Sequence, residues 1–188
     1  MTATKLMTAE DLWEMPEVPG KQFELVNGEL IEVPGAAFTH GLIAAALYRL
    51  MFAFATEREL GIAVPDGVAF VLQRVPAIVR IPDAAFISMD RIPEDGVPAG
   101  FFPGAPDIAV EVVSINDLAK EVDAKVEQYL QFGTRLVWVV WPDARAVSVH
   151  TPDRVARRLQ LHESIDGADV LPGFVMPIES LFDIDPRR

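Results

Sequence analysis

A carboxylate in the middle of an apolar run places the strongest constraint on how this chain folds. Residues 108–113 read IAVEVV, a length and β-branched content typical of a strand covered on both faces, yet Glu111 lies inside the run. Burying an ionised carboxylate without compensation costs on the order of several kcal/mol. Glu111 is therefore expected to be paired, protonated or bound to a metal ion.

A second acid precedes a neighbouring apolar run. Asp83 follows Pro82 and immediately precedes residues 84–87, which are predicted to form a strand. The carboxylate of Asp83 is therefore expected at the start of that strand. Because side chains alternate across a strand, Asp107, Glu111 and Val113 are predicted to project to one face. Mg²⁺ binds through one or two carboxylates and keeps several waters, so Asp83 and Glu111 are candidate ligands. The alternative is a pair of acids solvated at strand ends.

The next segment is predicted to be a helix that carries a lysine at the edge of its apolar face. Residues 117–132 have apolar positions at a 3.6-residue period, and they are followed by Gly133, a residue typical of the position just past a helix C-terminus. Lys125 lies four residues before Tyr129, on the margin of this stripe, and Glu121 is placed to pair with it. A lysine that snorkels from the edge of an apolar face is the alternative. The apolar positions are Leu118, Val122, Val126, Tyr129 and Leu130.

These residues resemble a known nuclease superfamily. Pro82-Asp83, followed 28 positions later by Glu111, is similar to the PD-(D/E)XK motif, an aspartate on one strand and an acid-any-lysine triplet on the next. More closely, the ordered segments resemble the Uma-type restriction endonuclease family, formerly known only as a domain of unknown function. The resemblance runs from about Thr8 to about Phe182. Its segments are FELVNGEL (23–30), APDIAVEVVS (105–114), and Lys125 with Tyr129, Gly133 and Trp138.

The resemblance implies a restriction-endonuclease-like fold, a mixed α/β architecture with a central mixed sheet flanked by helices. It implies hydrolysis of DNA with Mg²⁺ or Mn²⁺ held by Asp83, Glu111 and the Val112 carbonyl. Val113 stands where the triplet should end in lysine, and Lys125 matches the position to which the closer family has moved it. Glu24 matches the family's early acid. The further candidates are His40, Asp107, Glu121 and Tyr129.

Composition predicts one soluble domain spanning residues 1–188. The chain is 51% hydrophobic and has no cysteine, signal-peptide core or apolar run of membrane-spanning length, which favours a cytoplasmic protein. The net charge of −12 argues against nucleic-acid binding, which usually depends on a basic surface. The local basic clusters are Arg154, Arg157 and Arg158, and Arg187 with Arg188.

The remaining pattern predicts further elements around these residues. Asn27-Gly28 joins residues 22–26 and 29–33 in a β-hairpin, and residues 38–60 read as a long helix that begins at Thr39, with His40 in its first turn. A short helix follows Thr8, residues 62–73 form a strand pair or a bent strand, and residues 91–106 form a long loop. The later strands are residues 135–141, 146–150 and 157–161, before a helical turn at 178–182.

Two other functions stay open from the sequence. Glu24, Asp83, Asp107 and Glu111 suit a two-carboxylate glycoside hydrolase that needs no metal, although 3 tryptophans offer few sugar-binding surfaces. A catalytically inactive homo-oligomer that kept the fold is favoured by Val113 and by the acidity of the chain. If the chain cuts duplex DNA, a homodimer would supply two sites.

Overall fold

The computed structural model describes residues 6–183, so Arg187 and Arg188 lie outside the described residues. Within that range the chain forms a mixed α/β fold. The helices are α1 (Ala9–Trp13), α2 (Phe38–Glu57), α3 (Ala119–Gln131) and α4 (Glu179–Phe182). The strands are β1 (Gln22–Val26), β2 (Glu29–Val33), β3 (Gly61–Pro65), β4 (Phe70–Gln73), β5 (Ile78–Arg80), β6 (Ala84–Ser88), β7 (Phe102–Pro103), β8 (Ile108–Val112), β9 (Leu136–Trp141), β10 (Ala146–His150), β11 (Ala156–Leu159), β12 (Ser164–Asp166) and β13 (Val175–Pro177).

The central sheet has six strands in the order β11-β10-β9-β8-β6-β3. β8 pairs in parallel with β9 and antiparallel with β6, which makes the sheet mixed. The parallel pair is joined by α3, as a crossover connection requires. The register places Val110 opposite Ala84, so the C-terminal end of β8 lies beside the start of β6, where Asp83 precedes the strand.

Alternate residues of β8 enter different hydrophobic cores. Ile108, Val110 and Val112 pack with α2 on one face of the sheet. Ala109 and Val113 belong to the core on the other face, which α3 and part of the second sheet cover. The predicted alternation is therefore confirmed, and Glu111 projects toward α3.

A five-stranded sheet in the order β2-β1-β5-β4-β7 forms the other wall of the molecule. Its hairpin turns at Asn27 and Gly28, whose φ angles of 53° and 80° suit the predicted two-residue turn. α1 begins at the cap Thr8, whose side chain accepts a hydrogen bond from the Asp11 amide, and packs through Leu12 against this sheet. A separate two-stranded sheet pairs β12 with β13.

Several predicted boundaries were wrong. The helix predicted over residues 38–60 does start at Phe38, but Ala37 and not Thr39 is the residue at its N-terminal cap, and it ends at Glu57. Residues 62–73 are not a single pair, because β3 and β4 belong to different sheets. Leu118 is 51% exposed and precedes α3 instead of packing as its first apolar position.

Among the described helices, α2 alone is long and apolar enough to span a membrane by length and composition. The expectation from the sequence that no segment would reach this length does not hold for α2. The inner face of α2, which includes Ile43, Leu47 and Met51, packs on the central sheet in the core shared with β6 and β8.

Candidate active site

A cleft of about 960 Å³ opens where the ends of both sheets meet α3. Its walls come from the β1–β2 hairpin, the segment that leads into β6, the loop after β8 and the first half of α3. The four residues predicted to be catalytic line it: Glu24, Asp83, Glu111 and Lys125. His40, Val112 and Glu121 line it as well, so the topology brings most of the predicted site together.

Glu111 is 7% exposed and has a partner on each carboxylate oxygen. Its Oε2 accepts a hydrogen bond from Lys125 Nζ at 2.8 Å, and its Oε1 accepts one from the Tyr129 hydroxyl at 2.9 Å. Burial raises the pKa of Glu111 to about 7, because the charges of Asp83 and Glu24 add to the effect while Lys125 opposes it. A nearby cation therefore stabilises the ionised form of Glu111.

Lys125 reaches the cleft from the middle of α3. Its Nζ lies 2.8 Å from Glu111 Oε2 and 4.0 Å from Glu24 Oε1. Although burial lowers it, the pKa of Lys125 is raised above its usual range by the carboxylates of Glu111 and Glu24. The ammonium therefore stays charged between two buried acids.

Asp83 is held against the end of β8 by its own backbone and side chain. Its amide donates to the Val110 carbonyl at 2.9 Å, and its Oδ2 accepts a hydrogen bond from the Val112 amide at 2.5 Å. His40 Nε2 lies 3.3 Å from the same oxygen. These contacts hold Asp83, the residue before β6, against the C-terminal end of β8.

His40 contacts the site from the first turn of α2 and is 9% exposed. Burial lowers its pKa, yet the hydrogen bond and charge of Asp83 and a hydrogen bond with the Val112 backbone raise the pKa overall. Its Nδ1 is buried and has no hydrogen-bond partner among the described residues. The imidazole is therefore oriented by Asp83 and the Val112 backbone, through its Nε2 side.

Tyr129 is fully buried behind Glu111. Burial raises the pKa of its hydroxyl well above the ordinary value, and the charges of Glu111 and Glu24 add to this effect. The neutral hydroxyl is therefore a permanent donor that fixes one oxygen of Glu111.

Two polar residues that the sequence reasoning missed complete the buried network. Arg80, at the end of β5, donates from Nη1 to Glu24 Oε2 at 2.6 Å, and from Nε and Nη2 to Gln128 Oε1 at 2.8 Å and 2.6 Å. Glu24 Oε1 accepts from the Ile81 amide at 2.9 Å. Arg80 interrupts an apolar run just before Asp83, which is the kind of signal that identified Glu111.

Asp66 was also missed. It lies in the turn between β3 and β4 and lines the cleft. Its pKa is raised by burial and by the charge of Asp83, while a hydrogen bond with Gln22 lowers it. The turn residues Asp66-Gly67 gave no sequence signal that separates a site residue from an ordinary turn.

Asp107 and Glu121 do not have the positions expected for them. Asp107 lies at the opposite end of β8, where its carboxylate accepts hydrogen bonds from the Ser88 amide and hydroxyl and from Arg91. Glu121 is exposed at the rim, and Lys125 extends inward to Glu111 instead of along the helix surface to Glu121. The buried carboxylate outcompetes the solvated one because its attraction is less screened.

The cleft is strongly acidic. Eight acidic residues and three basic residues line it. Each of the basic residues is engaged by an acid: Lys21 by Glu32, Arg80 by Glu24 and Lys125 by Glu111. The acidic residues are Glu24, Glu29, Glu32, Asp66, Asp83, Asp117, Glu111 and Glu121.

The donor set fits a hard divalent cation that keeps part of its water shell. Within residues 6–183, no three histidine, aspartate or glutamate side chains come close enough to hold a metal by themselves. Two carboxylates, Asp83 and Glu111, flank the backbone of Val112 in a site with excess negative charge. Two carboxylates suit Mg²⁺, which usually binds through one or two carboxylates, keeps several waters and does not need the protein to supply every ligand.

Sequence comparison gives the family. The chain matches the Uma2 family, described as "Putative restriction endonuclease", over residues 9–179. The chain belongs to this family. A crystal structure of "a putative nuclease belonging to DUF820" from Anabaena variabilis has the same fold, with a TM-score of 0.83 and 20% identity over 95% of this chain and 98% of that one. No curated protein matches the sequence.

The family and the structural match confirm two expectations. The resemblance to restriction-endonuclease-like proteins is correct, and so is the mixed α/β fold with mixed sheets flanked by helices. At 20% identity the solved structure establishes the fold of this member and not the role of any residue.

Proposed function

We propose that this member of the Uma2 family is a metal-dependent endonuclease that hydrolyses DNA phosphodiester bonds. The observation that supports it most is the lysine: Lys125 Nζ, supplied by α3, lies 2.8 Å from Glu111 Oε2. Val113 cannot provide the ammonium that the PD-(D/E)XK triplet requires two residues after its acid. Lys125 offers that charge from a different element at the same carboxylate.

In this proposal Asp83, Glu111 and the Val112 carbonyl hold Mg²⁺ or Mn²⁺. The Val112 amide already donates to Asp83, so the carbonyl of the same residue, which faces the same strand edge, lies beside both acids. A divalent cation at such a site supplies a coordinated water of lowered pKa and offsets phosphate charge.

The protein groups would orient the reactants. Lys125 would donate to the attacking water and stabilise the negative charge that develops on the phosphate. Tyr129 fixes the second oxygen of Glu111, and Asp83 receives a hydrogen bond from Val112 and a contact from His40. Glu24 would act by anchoring the Ile81 amide, two residues before Asp83.

The acidity of the cleft limits how DNA would bind. A chain of net charge −12 with an acidic rim has poor long-range attraction for a phosphate backbone, so divalent cations would have to offset both the site and the substrate. A homodimer would present two sites to a duplex. The proposal places the activity in the cytoplasm, in keeping with the absence of cysteine from the sequence.

The structure disfavours one alternative, the glycoside hydrolase, and leaves the other, an inactive scaffold, open. Among the described residues that line the cleft there is no Phe, Tyr or Trp, which disfavours a glycoside hydrolase with stacked sugar subsites. An inactive scaffold is instead favoured by Val113 and by the acidic rim, and it is the outcome that the experiment must separate.

The test is cleavage of supercoiled plasmid, linear duplex and single-stranded DNA by the purified chain with Mg²⁺, with Mn²⁺ and with EDTA. The expected result is metal-dependent cleavage that Asp83→Ala and Glu111→Ala abolish. Asp143→Ala, an exposed acid in the turn after β9, is the matched control and should cleave as the parent does. If the parent cleaves none of these substrates with either metal, the inactive scaffold replaces the proposal.

A further inference from the structure

Arg80 is a buried cation that the nuclease motif does not include. It is 6% exposed, and its guanidinium contacts two different elements: β1 through Glu24 and α3 through Gln128. Burying a guanidinium is unfavourable unless its hydrogen bonds are made, and three of its N–H groups have carboxylate or amide partners. These hydrogen bonds compensate for the burial of the guanidinium and link β1 to α3.

Two buried carboxylates compete for Lys125. Its Nζ lies 2.8 Å from Glu111 and 4.0 Å from Glu24. Glu24 is 2% exposed and Glu111 is 7% exposed, so Glu24 is the less solvated acid and, without another cation, would attract the ammonium at least as strongly. The observed position of Lys125 therefore needs an explanation beyond its own side chain.

Arg80 provides that explanation at Glu24. Its 2.6 Å charge-assisted hydrogen bond neutralises Glu24, and the Ile81 amide occupies the other oxygen. Glu24 still attracts Lys125 at 4.0 Å, but less strongly than a carboxylate without an arginine partner would. Lys125 is left to the carboxylate that lacks an arginine, Glu111.

Arg80 also sets the position of the helix that carries the lysine. Gln128 lies three residues after Lys125, on the same side of α3, and its Oε1 accepts from both Nε and Nη2 of Arg80. This forked contact fixes the helix relative to β5. Arg80, on β5, therefore contacts both the helix that carries Lys125 and the competing carboxylate of Glu24.

We infer that Arg80 is a positioning residue. Its ion pair with Glu24 and its hydrogen bonds with Gln128 keep Lys125 in contact with Glu111. The placement of Lys125 stands on the contacts alone. The consequence for turnover rests on the proposed function.

The first test measures where Lys125 lies, without substrate. Crystal structures of the parent, Arg80→Met and Arg74→Met are compared. Arg74 is the matched control, because it lies on the adjoining β4–β5 turn and pairs at the surface with Glu10. Arg80→Met should bring Nζ to within about 3.2 Å of a Glu24 oxygen and away from Glu111, whereas Arg74→Met should leave it in place. If Nζ stays on Glu111 in Arg80→Met, the inference is overturned.

If Arg80→Met does not fold, Arg80→Gln is measured in its place: it removes the charge but keeps amide donors, and it should likewise bring Nζ to Glu24. Two further variants then separate the charge of Arg80 from its contact with Gln128. Arg80→Met with Glu24→Gln removes the competing charge together with its partner, so Lys125 should lie on Glu111 again. Arg80→Lys keeps a cation beside Glu24 and should hold Lys125 on Glu111 while losing the forked contact with Gln128. A double variant in which Lys125 remains away from Glu111 would contradict the competition between the two acids.

The kinetic test separates positioning from general support of the fold. Because a displacement of about 1 Å at a catalytic group can lower the rate by about 10²-fold, Arg80→Met should lower kcat by that order while KM changes little. The double variant should return kcat to the value of Glu24→Gln alone. An unchanged kcat in Arg80→Met would overturn the inference. No cleavage by the parent would refute the proposed function alone, since the position of Lys125 is measured independently.

Discussion

Glu111 makes the stability of the protein depend on pH. Its pKa is raised from 4.5 to about 7 by burial and neighbouring carboxylates, so the folded chain binds this proton more tightly than the unfolded chain. Unfolding releases the proton between these two values, and the free energy of unfolding falls as the pH rises through that window. The shift corresponds to on the order of 3 kcal/mol.

Replacing Glu111 by glutamine removes this penalty. In EDTA, Glu111→Gln should gain stability relative to the parent as the pH rises from about 5 to 8, by on the order of 1–3 kcal/mol in urea unfolding. Asp66 and His40 titrate in both proteins, so their contributions largely cancel in the difference. If the parent instead becomes more stable relative to Glu111→Gln as the pH rises, Glu111 serves mainly as an ion-pair partner of Lys125.

Calorimetry tests the proposed metal ligands. Asp83→Ala and Glu111→Ala should each abolish Mn²⁺ binding, because each removes one of the two carboxylates at the end of β8. Asp107→Asn is the control: its side chain is held by Ser88 and Arg91 at the other end of the strand, so Mn²⁺ affinity should be retained. Unchanged affinity in either alanine variant removes that residue from the proposed ligand set.

The sequence identified several ionisable residues of the cleft, but not the partners that hold them. Glu111 and Asp83 stood out because a carboxylate in or beside an apolar strand needs compensation, and Lys125 because it lies at the margin of an apolar stripe. Arg80 carries a comparable signal, yet its two partners, Glu24 and Gln128, are 56 and 48 residues away. Only the topology brings them together.

The β1–β2 hairpin holds Glu24 in the site, and its turn depends on Gly28. Gly28 has φ +80°, and an added Cβ would lie 2.7 Å from the Leu6 Cβ and 3.2 Å from the Met7 carbonyl oxygen. Gly28→Ala should therefore lower the free energy of unfolding by about 1–2 kcal/mol in urea denaturation. Gly35→Ala, in the segment after the hairpin, meets no atom within 4 Å and should change it by less than about 0.5 kcal/mol. Equal effects at both positions would contradict the tight turn.

The elements with strong local signals were predicted, and those stabilised by distant contacts were not. The hairpin follows from Asn27-Gly28, and α1 from the Thr8 cap. β5 has three residues and is paired with β1 and β4, while β12 and β13 have three residues each and pair across residues 167–174, a connection longer than a two-residue hairpin turn. Short strands of this kind are defined by their partners rather than by their own composition.

The whole chain presents a conflict between its charge and its proposed substrate. The sequence revealed the net charge of −12, and the structure adds that acids concentrate around the cleft. Of the basic cluster noted in the sequence, Arg157 is paired with Glu163, Arg158 lies over the Trp141 ring, and Arg154 approaches Glu127. The single domain and the homodimer stay predictions, since neither follows from the contacts within one chain.

The central claim is that a lysine on α3 replaces the one missing at Val113. The most direct measurement is single-turnover cleavage of DNA by Lys125→Met at saturating Mn²⁺, with Lys120→Met, on the same helix but exposed, as the control. We predict at least about 10²-fold slower cleavage by Lys125→Met with Mn²⁺ affinity retained, and partial recovery when Val113→Lys is added, because residue 113 shares the Glu111 face of the strand. Cleavage by Lys125→Met at the parent rate would contradict the claim.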